Sequence, residues 1–340
     1  MLDLLQPWLP MGFAFVLSAL FSLVVREAGV LDHPNARSSH SNPTPRGGGV
    51  GVLTGFAAAL AVQPVDLPHL SAVLVAVLVL STLAGAIGLL DDLFTLSEKL
   101  KFLALVSISL AVAFSAGPVT ELGWQLPWII GLLGSALFVF TTVNAINFMD
   151  GSDGLMVAAL VPATLALAGM GDGDFAAICI LLALAQLGFA LLNAPIFDSR
   201  GSLFSGDAGS LGVAVLVCGL ALWWASTGSA GSVWLVPLIL LPLLGDVLLT
   251  MASRARAGRR LFSPHRAHAY QLLIRLGWSH GRVALIWMAL STIAALLAWL
   301  VHEQSALVKF VTFAGGVIAF TTFHQAVRRH VRARGLDTTQ

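Results

Sequence analysis

The sequence predicts an all-α polytopic membrane protein with about eleven transmembrane helices. Three observations carry this reading. The 340 residues are 57% hydrophobic and only 10% charged, with a mean hydropathy of +0.89, which is far from the composition of soluble domains. The apolar residues come in continuous runs of about 20, the length that crosses a bilayer as a helix. Those runs are rich in Leu and Ala, and their continuity excludes the alternating strands of a membrane barrel.

Eleven runs qualify, at roughly 8–25, 48–64, 69–90, 102–118, 126–143, 155–171, 174–193, 208–225, 232–252, 283–301 and 305–325. The first has neither a basic n-region nor a small-residue cleavage site followed by a soluble domain, so it is read as a span. Cys179 and Cys218 fall inside spans and are read as packing residues rather than a disulfide.

Eleven spans place the termini on opposite sides. With the N-terminus outside, the inner segments are 26–47, 91–101, 144–154, 194–207, 253–282 and 326–340, and they hold 17 of the 18 Lys and Arg residues. Lys309 is the exception. The positive-inside rule then places the N-terminus outside and the C-terminus in the cytoplasm. The outer connections are short and carry Asp66, Glu121, Asp172, Asp174 and Glu303. The basic RRHVRARG near the C-terminus reads as an anchor against anionic lipid head groups. A single membrane domain over residues 1–340 is expected, with loops 26–47, 91–101, 144–154, 194–207 and 253–282 forming one site. No repeat is visible, and no nucleic-acid partner is expected.

The unusual polar clusters all fall on the inner face. They are PTPRGGG (Pro43 to Gly49), GLLDDLF (Gly88 to Phe94), NAINFMDGSDGL (Asn144 to Leu155), SGDAGS (Ser205 to Ser210) and HRAHAYQLL (His265 to Leu273). A solute channel or transporter would spread polar positions through the membrane depth, often at broken helices. One polar interface favours an enzyme acting at the cytoplasmic side on a membrane-embedded substrate.

Asp91 and Asp92 end a span at its negative dipole end, where adjacent carboxylates need a cation or a proton to relieve repulsion. Adjacent helical residues diverge by about 100°, so one Asp can face a metal while the other faces a substrate. Asp153 and Asp207 each precede an outgoing span and are equally readable as N-caps. Asp150 has no such ordinary role, and Asn144 and Asn147 add amides suited to the edges of a base or sugar. The five carboxylates offer hard oxygens for Mg²⁺ with substrate phosphates as further ligands. His265 and His268 are a weak zinc signal; the HRAH segment reads better as a phosphate contact, with Arg266 as a fork. PTPRGGG lacks a P-loop lysine, yet its glycine amides and Arg46 suit an anion. Asp246 lies roughly 12 Å deep, by the rise of an α-helix, and is a functional candidate or a helix-pairing group.

In this order, the DD pair, NxxNxxDGxDGL, GDxGS and the HRAH segment resemble the polyprenyl-phosphate N-acetylhexosamine-1-phosphate transferases, from about Asp32 to Gly281. HRAHAYQLLIRLGWSH resembles the branch that initiates O-antigen or other surface polysaccharides; the peptidoglycan branch carries three consecutive histidines there. The resemblance implies transfer of sugar-1-phosphate from a UDP-N-acetylhexosamine to undecaprenyl phosphate, giving undecaprenyl-diphospho-sugar and UMP. It implies Mg²⁺, with Mn²⁺ as a substitute ion, and is compatible with a homodimer. By motif match Asp91 and Asp92 are catalytic, Asp207 and Asp91 face the metal, and Asn147, Asp150 and Asp153 flank the nucleotide with Asn144 beside them. His265, Arg266, His268 and Arg46 match the phosphate and sugar side. The same chemistry in peptidoglycan or teichoic-acid-linkage synthesis is the alternative, and the sugar stays open among N-acetylglucosamine, N-acetylfucosamine and N-acetylquinovosamine derivatives.

The expected chemistry is attack by a lipid phosphate oxygen on the phosphorus that bears the sugar, with Asp92 as base. A phospho-aspartate route is the other option. Two departures stand out. Leu93, Phe94 and Thr95 follow the acidic pair where a further charge is usual, leaving Lys99 or Lys101 to supply one. The segment from Asn193 to Asp207 is about four residues longer than usual, with Ser205 in place of an apolar residue, so no role passes to Asn193. A CDP-alcohol phosphotransferase would need a denser set of acidic residues along helical turns.

Overall fold

The computed structural model describes residues 9–32, 43–62, 72–260, 263 and 265–339. The chain is all-α, as expected, apart from one short ribbon. The helices are α1 (Leu9–Ala28), α2 (Gly49–Val62), α3 (Ala72–Phe94), α4 (Glu98–Ala116), α5 (Trp128–Met149), α6 (Leu155–Met170), α7 (Gly173–Asn193), α8 (Gly206–Thr227), α9 (Leu235–Ile239), α10 (Leu241–Arg256), α11 (Ala269–Arg275), α12 (His280–Val301) and α13 (Ala306–Ala333). Strands β1 (Leu31–Asp32) and β2 (Thr44–Pro45) pair antiparallel, Leu31 with Pro45 and Asp32 with Thr44.

Among the described residues, eight helices are long and apolar enough to cross a membrane, nine if a bent pair counts as one span. Each of the eleven apolar runs contains helix, but two do not form long ones. The described part of α2 has 14 residues and α6 has 16, or about 21 and 24 Å at the usual rise. The run at 232–252 is not one straight rod. A 3₁₀ turn (Ser232–Trp234) leads into α9, and the chain bends 75° before α10. Pro242 explains the break: it lacks an amide proton and sits in the first turn of α10, where that proton has no partner anyway.

Helix α8 is the centre. Its side chains are buried nearly all round, the pattern of a core helix rather than a lipid-facing one. Small residues allow this. A Cβ on Gly49 would lie 1.8 Å from the Gly209 Cα, and one on Gly88 would lie 2.3 Å from the Asp207 carbonyl. Backbones of α2, α3 and α8 therefore touch, the close approach that small residues permit between membrane helices. This contact places the C-terminal end of α3 beside the N-terminal end of α8. Asp91 and Asp92 thereby meet Asp207.

At the opposite end of the molecule, Lys309 is fully buried. Its ammonium donates to Ser229 Oγ at 2.6 Å and to the Ala230 carbonyl at 3.1 Å. The one basic residue outside the inner segments is thus a clamp between α13 and the turn after α8.

Candidate active site

Four helix ends build the floor of the site. Thr95 adopts a left-handed conformation (φ 52°) that stops α3. Asp91 Oδ1 accepts from the Leu96 amide at 2.8 Å and fixes the turn into α4. The turn is short, so the first helical turn of α4 faces back toward the acidic pair. Lys101 donates to Asp91 Oδ2 at 2.8 Å and also contacts Asp207 Oδ2. From α5, Asn147 donates to Asp207 Oδ1 at 2.9 Å and to Ser210 Oγ at 2.8 Å.

The two adjacent aspartates diverge as helical geometry requires. Asp91 joins Lys101 and Asp207. Asp92 turns the other way and is nearly buried. Its Oδ1 lies 3.2 Å from Arg46 Nη1, and its Oδ2 lies 3.4 Å from the Ala208 amide. Arg46 also approaches Asp32 at 3.6 Å, held by the ribbon. Two of the three glycine amides of PTPRGGG are otherwise engaged: Gly48 donates to the Phe204 carbonyl at 2.9 Å and Gly49 to the Ser205 carbonyl at 3.1 Å. Those two amides lock the loop to the start of α8, and the Arg46 side chain reaches the site.

Neither cap reading holds. Helix α6 is preceded by Gly154 in a left-handed conformation, with no side-chain cap. Asp153 instead accepts from the Gly201 amide at 3.2 Å and lies 3.4 Å from His280 Nδ1. Asp207 lies inside the first turn of α8, where the dipole favours it, and its oxygens serve Lys101 and Asn147. Asp150 closes the turn after α5, and Ser205 Oγ donates to its Oδ2. Burial, with the charges of Asp207, Asp92 and Asp153, pushes the Asp150 pKa up to about 8. This carboxyl is mostly protonated at neutral pH.

Asn193 has a structural role. Its Oδ1 accepts from the Gly154 amide at 3.0 Å and its Nδ2 donates to the Leu203 carbonyl at 3.0 Å. With Asp153 it pins the lengthened segment 194–205 under the site. Asn144 donates to the Phe140 carbonyl of its own helix at 2.7 Å and makes no described contact with the carboxylates.

The HRAH segment is held at the flank. Asp246 is fully buried in α10. It accepts from the amides of Ala269 at 2.8 Å and Tyr270 at 3.3 Å, the first amides of α11. It thus acts as a cap supplied from another helix. His324 Nε2 lies 3.4 Å and His268 Nδ1 3.8 Å from it. The candidate intramembrane carboxylate is the foundation of this loop. Tyr270 then donates to the Phe148 carbonyl at 3.2 Å, linking α11 to the turn that carries Asp150. Burial and the charges of His268 and Arg254 push the His265 pKa down to about 4 in the ligand-free protein. The His265 and His268 rings lie 4.9 Å apart. No described contact joins His265 or His268 directly to the carboxylate floor.

Among the described residues no three His, Cys, Asp or Glu side chains converge as a ready-made cation cage. Asp91 Oδ2 and Asp207 Oδ2 nevertheless face one point, which the Lys101 ammonium holds. Two hard carboxylates suit Mg²⁺ that takes its other ligands from phosphate and water. The donors therefore fit a substrate-bridged cation rather than a protein-enclosed one.

Several working residues were not given a role from the sequence: Tyr270, His280, Ser205 beyond its mention as a departure and Lys101 beyond its mention as a nearby charge. Lys101 was findable, since the α3–α4 hairpin register folds it back on Asp91. Tyr270 and His280 depend on long-range packing.

A family model for glycosyl transferase family 4 matches residues 74–225. That stretch contains every carboxylate of the floor and Lys101. The chain is 32% identical over 308 residues to the decaprenyl-phosphate N-acetylglucosaminephosphotransferase of Mycobacterium tuberculosis H37Rv, covering 78% of this chain and 74% of that protein. It is 30% identical over 325 residues to the undecaprenyl-phosphate alpha-N-acetylglucosaminyl 1-phosphate transferase of Escherichia coli K12, covering 90% and 86%. The Yersinia pestis protein of the same description is 26% identical over 338 residues, covering 93% and 90%. By these similarities and its motifs, this chain belongs to glycosyl transferase family 4, among the polyprenyl-phosphate N-acetylhexosamine-1-phosphate transferases.

Proposed function

We propose that this protein transfers N-acetylhexosamine-1-phosphate from a UDP-sugar to undecaprenyl phosphate at the cytoplasmic face of a bacterial inner membrane, initiating O-antigen or another surface polysaccharide. The carrying observation is that Asp91, Asp92, Asp207, Lys101, Asn147 and Arg46 meet at one end of α3, α4, α5 and α8. The substrates named for these relatives support the polyprenyl phosphate and make UDP-N-acetylglucosamine the first donor to test. The basic residues of the inner segments support the cytoplasmic placement.

Two anions must approach each other in this reaction, so charge neutralisation dominates. Mg²⁺ held by Asp207 and Asp91 would supply it on the diphosphate. Lys101 adds a fixed cation between the same carboxylates, and Asn147 orients Asp207. Arg46 brings a second cation beside Asp92. The second pKa of a phosphate monoester is about 6, so most of the lipid phosphate is already a dianion. Asp92 is placed to take the remaining proton as the phosphate oxygen attacks and UMP leaves. Asp150 and Asp153 shape the nucleotide side, with Asp150 offering a protonated carboxyl. HRAH takes the sugar-phosphate side, where Arg266 supplies charge.

The test is incubation of purified protein with undecaprenyl phosphate, Mg²⁺ and a panel of UDP-N-acetylhexosamines, with UMP release measured. UMP from at least one donor is expected. No UMP from any donor, with lipid-linked sugar crossing vesicles intact, would overturn the proposal in favour of transport.

A further inference from the structure

Helix α13 does not simply end among lipid head groups. Gly335 adopts a left-handed conformation (φ 77°). Its amide donates to the Arg332 carbonyl at 2.9 Å, and the Leu336 amide to the Val331 carbonyl at 3.3 Å. This pair is a Schellman motif, which reverses the chain. Asp337 then accepts from the Thr339 amide and hydroxyl, both at 2.7 Å, shaping a compact turn. Thr338 is buried.

The reversed tail lies among arginines, and three of them grip two segments at once. Arg328 donates to the Ala267 carbonyl at 3.2 Å and to the Thr338 carbonyl at 2.6 Å. Arg275 donates to the Arg266 carbonyl at 3.3 Å and to the Asp337 carbonyl at 2.9 Å. Arg254 donates to the Arg260 carbonyl at 2.7 Å, to Ser263 Oγ at 2.9 Å and to the Thr339 carbonyl. In each case one partner belongs to the HRAH loop or its approach and the other to the tail. Arg332 Nε adds a bond to Thr338 Oγ1 at 3.0 Å. A guanidinium has five donors in a planar fork, which suits such double engagement. The buried Arg328, inside RRHVRARG, is therefore spent within the protein rather than on lipid.

We propose that Arg328, Arg275 and Arg254 are positioning residues, and that the tail 337–339 is the strut through which they set the HRAH loop for the sugar-phosphate. Arg328 and Arg254 hold the tail with one arm of the fork and the loop side with the other, while Arg275 bridges the two carbonyls through Nη1 alone. The loop's own anchor, Asp246, holds only its α11 end. The kinetic part of this inference rests on the transferase reading; the structural part does not.

The test compares the full chain with three variants: removal of residues 337–340, Arg328→Lys, and Gly335→Ala. None alters a residue assigned to the reaction. Lysine keeps the charge but cannot hold two carbonyls in one plane, and alanine strains the reversal without removing a contact. Hydrogen exchange is read on segment 265–275 and, as a folding control, on α3 and α8. All three variants are expected to raise exchange in 265–275 and leave α3 and α8 protected. In the transferase assay, KM for the UDP-sugar is expected to rise about tenfold while kcat changes much less, the signature of lost ground-state positioning. Unchanged exchange in 265–275 overturns the strut, whatever the activity. Raised exchange with unchanged KM overturns its role in the reaction. A full chain that turns over no donor fails the transferase reading instead, and the exchange result still judges the strut.

Discussion

Asn147 donates to Asp207 at 2.9 Å, and this bond ties the end of α5 to the first turn of α8. It joins two motifs that lie 60 residues apart in the chain. Asp207 also meets Lys101, so its carboxylate is oriented from two sides. Asp207→Asn and Asn147→Ala are expected to reduce UMP release at least about a hundredfold, the usual scale for removing a group that stabilises transition-state charge. The melting temperature should stay within a few degrees. Near-normal turnover in Asp207→Asn would move the catalytic centre elsewhere.

Lys101 sits where Asp91 and Asp207 converge. Lys101→Met leaves the two carboxylates facing each other without a counter-charge. In the absence of substrate, Mg²⁺ is expected to raise the melting temperature of this variant more than that of the parent. UMP release should fall by at least about tenfold even at saturating Mg²⁺, since a divalent ion does not replace both charges. An equal Mg²⁺ response in both proteins would show that the ion binds away from Asp91 and Asp207.

Asp150 gives the protein a pH-dependent stability. Its folded pKa of about 8 lies well above the unfolded carboxylate value. The folded state therefore keeps a proton that the unfolded state loses. The contribution is fully present below about pH 4 and is lost as pH rises toward about 8, at up to about 1.4 kcal/mol per pH unit. Asp150→Asn removes this dependence. The difference between parent and variant unfolding free energies, measured from pH 5 to 9 without Mg²⁺, should grow in favour of the variant as pH rises to about 8 and level off above it. A flat difference would mean that the carboxyl is solvated.

Asp246 carries the two first amides of α11 and faces two histidines. Asp246→Ala strands these buried donors, at about 1–3 kcal/mol each, and is expected to lower the melting temperature and the yield of folded protein. Asp246→Asn keeps an acceptor oxygen and should be clearly milder. Equal losses for both variants would show that the charge, rather than the cap, holds the loop.

Gly49 and Gly209 are in backbone contact. Gly49→Ala would force a Cβ into the Gly209 Cα at 1.8 Å, and overpacking of this kind costs about 1–3 kcal/mol or more. Loss of folded yield is expected, because α2 and α8 must move apart. Gly134, which has open space around its Cβ position, supplies the control: Gly134→Ala should leave folding unchanged.

Much of this was legible in the chain. Long apolar runs announce helices, because in a bilayer every backbone group must be satisfied within its own segment. The motif residues Asp91, Asp92, Asn147, Asp150, Asp153 and Asp207 could be gathered because their loops share one face. The bend between α9 and α10 was less visible, since the apolar run continues through it.

Composition and motif order by themselves determined the membrane class, the grouping of the acidic motifs and the family. Only the tertiary structure decided what each polar group touches. Asp153 and Asn193 were assigned to loop packing, Asp246 to capping α11, and Arg328 to gripping both tail and loop. These choices depend on groups meeting across 10 to 127 residues of chain. A local pattern carries no record of such meetings; packing between elements distant in the chain brings them about.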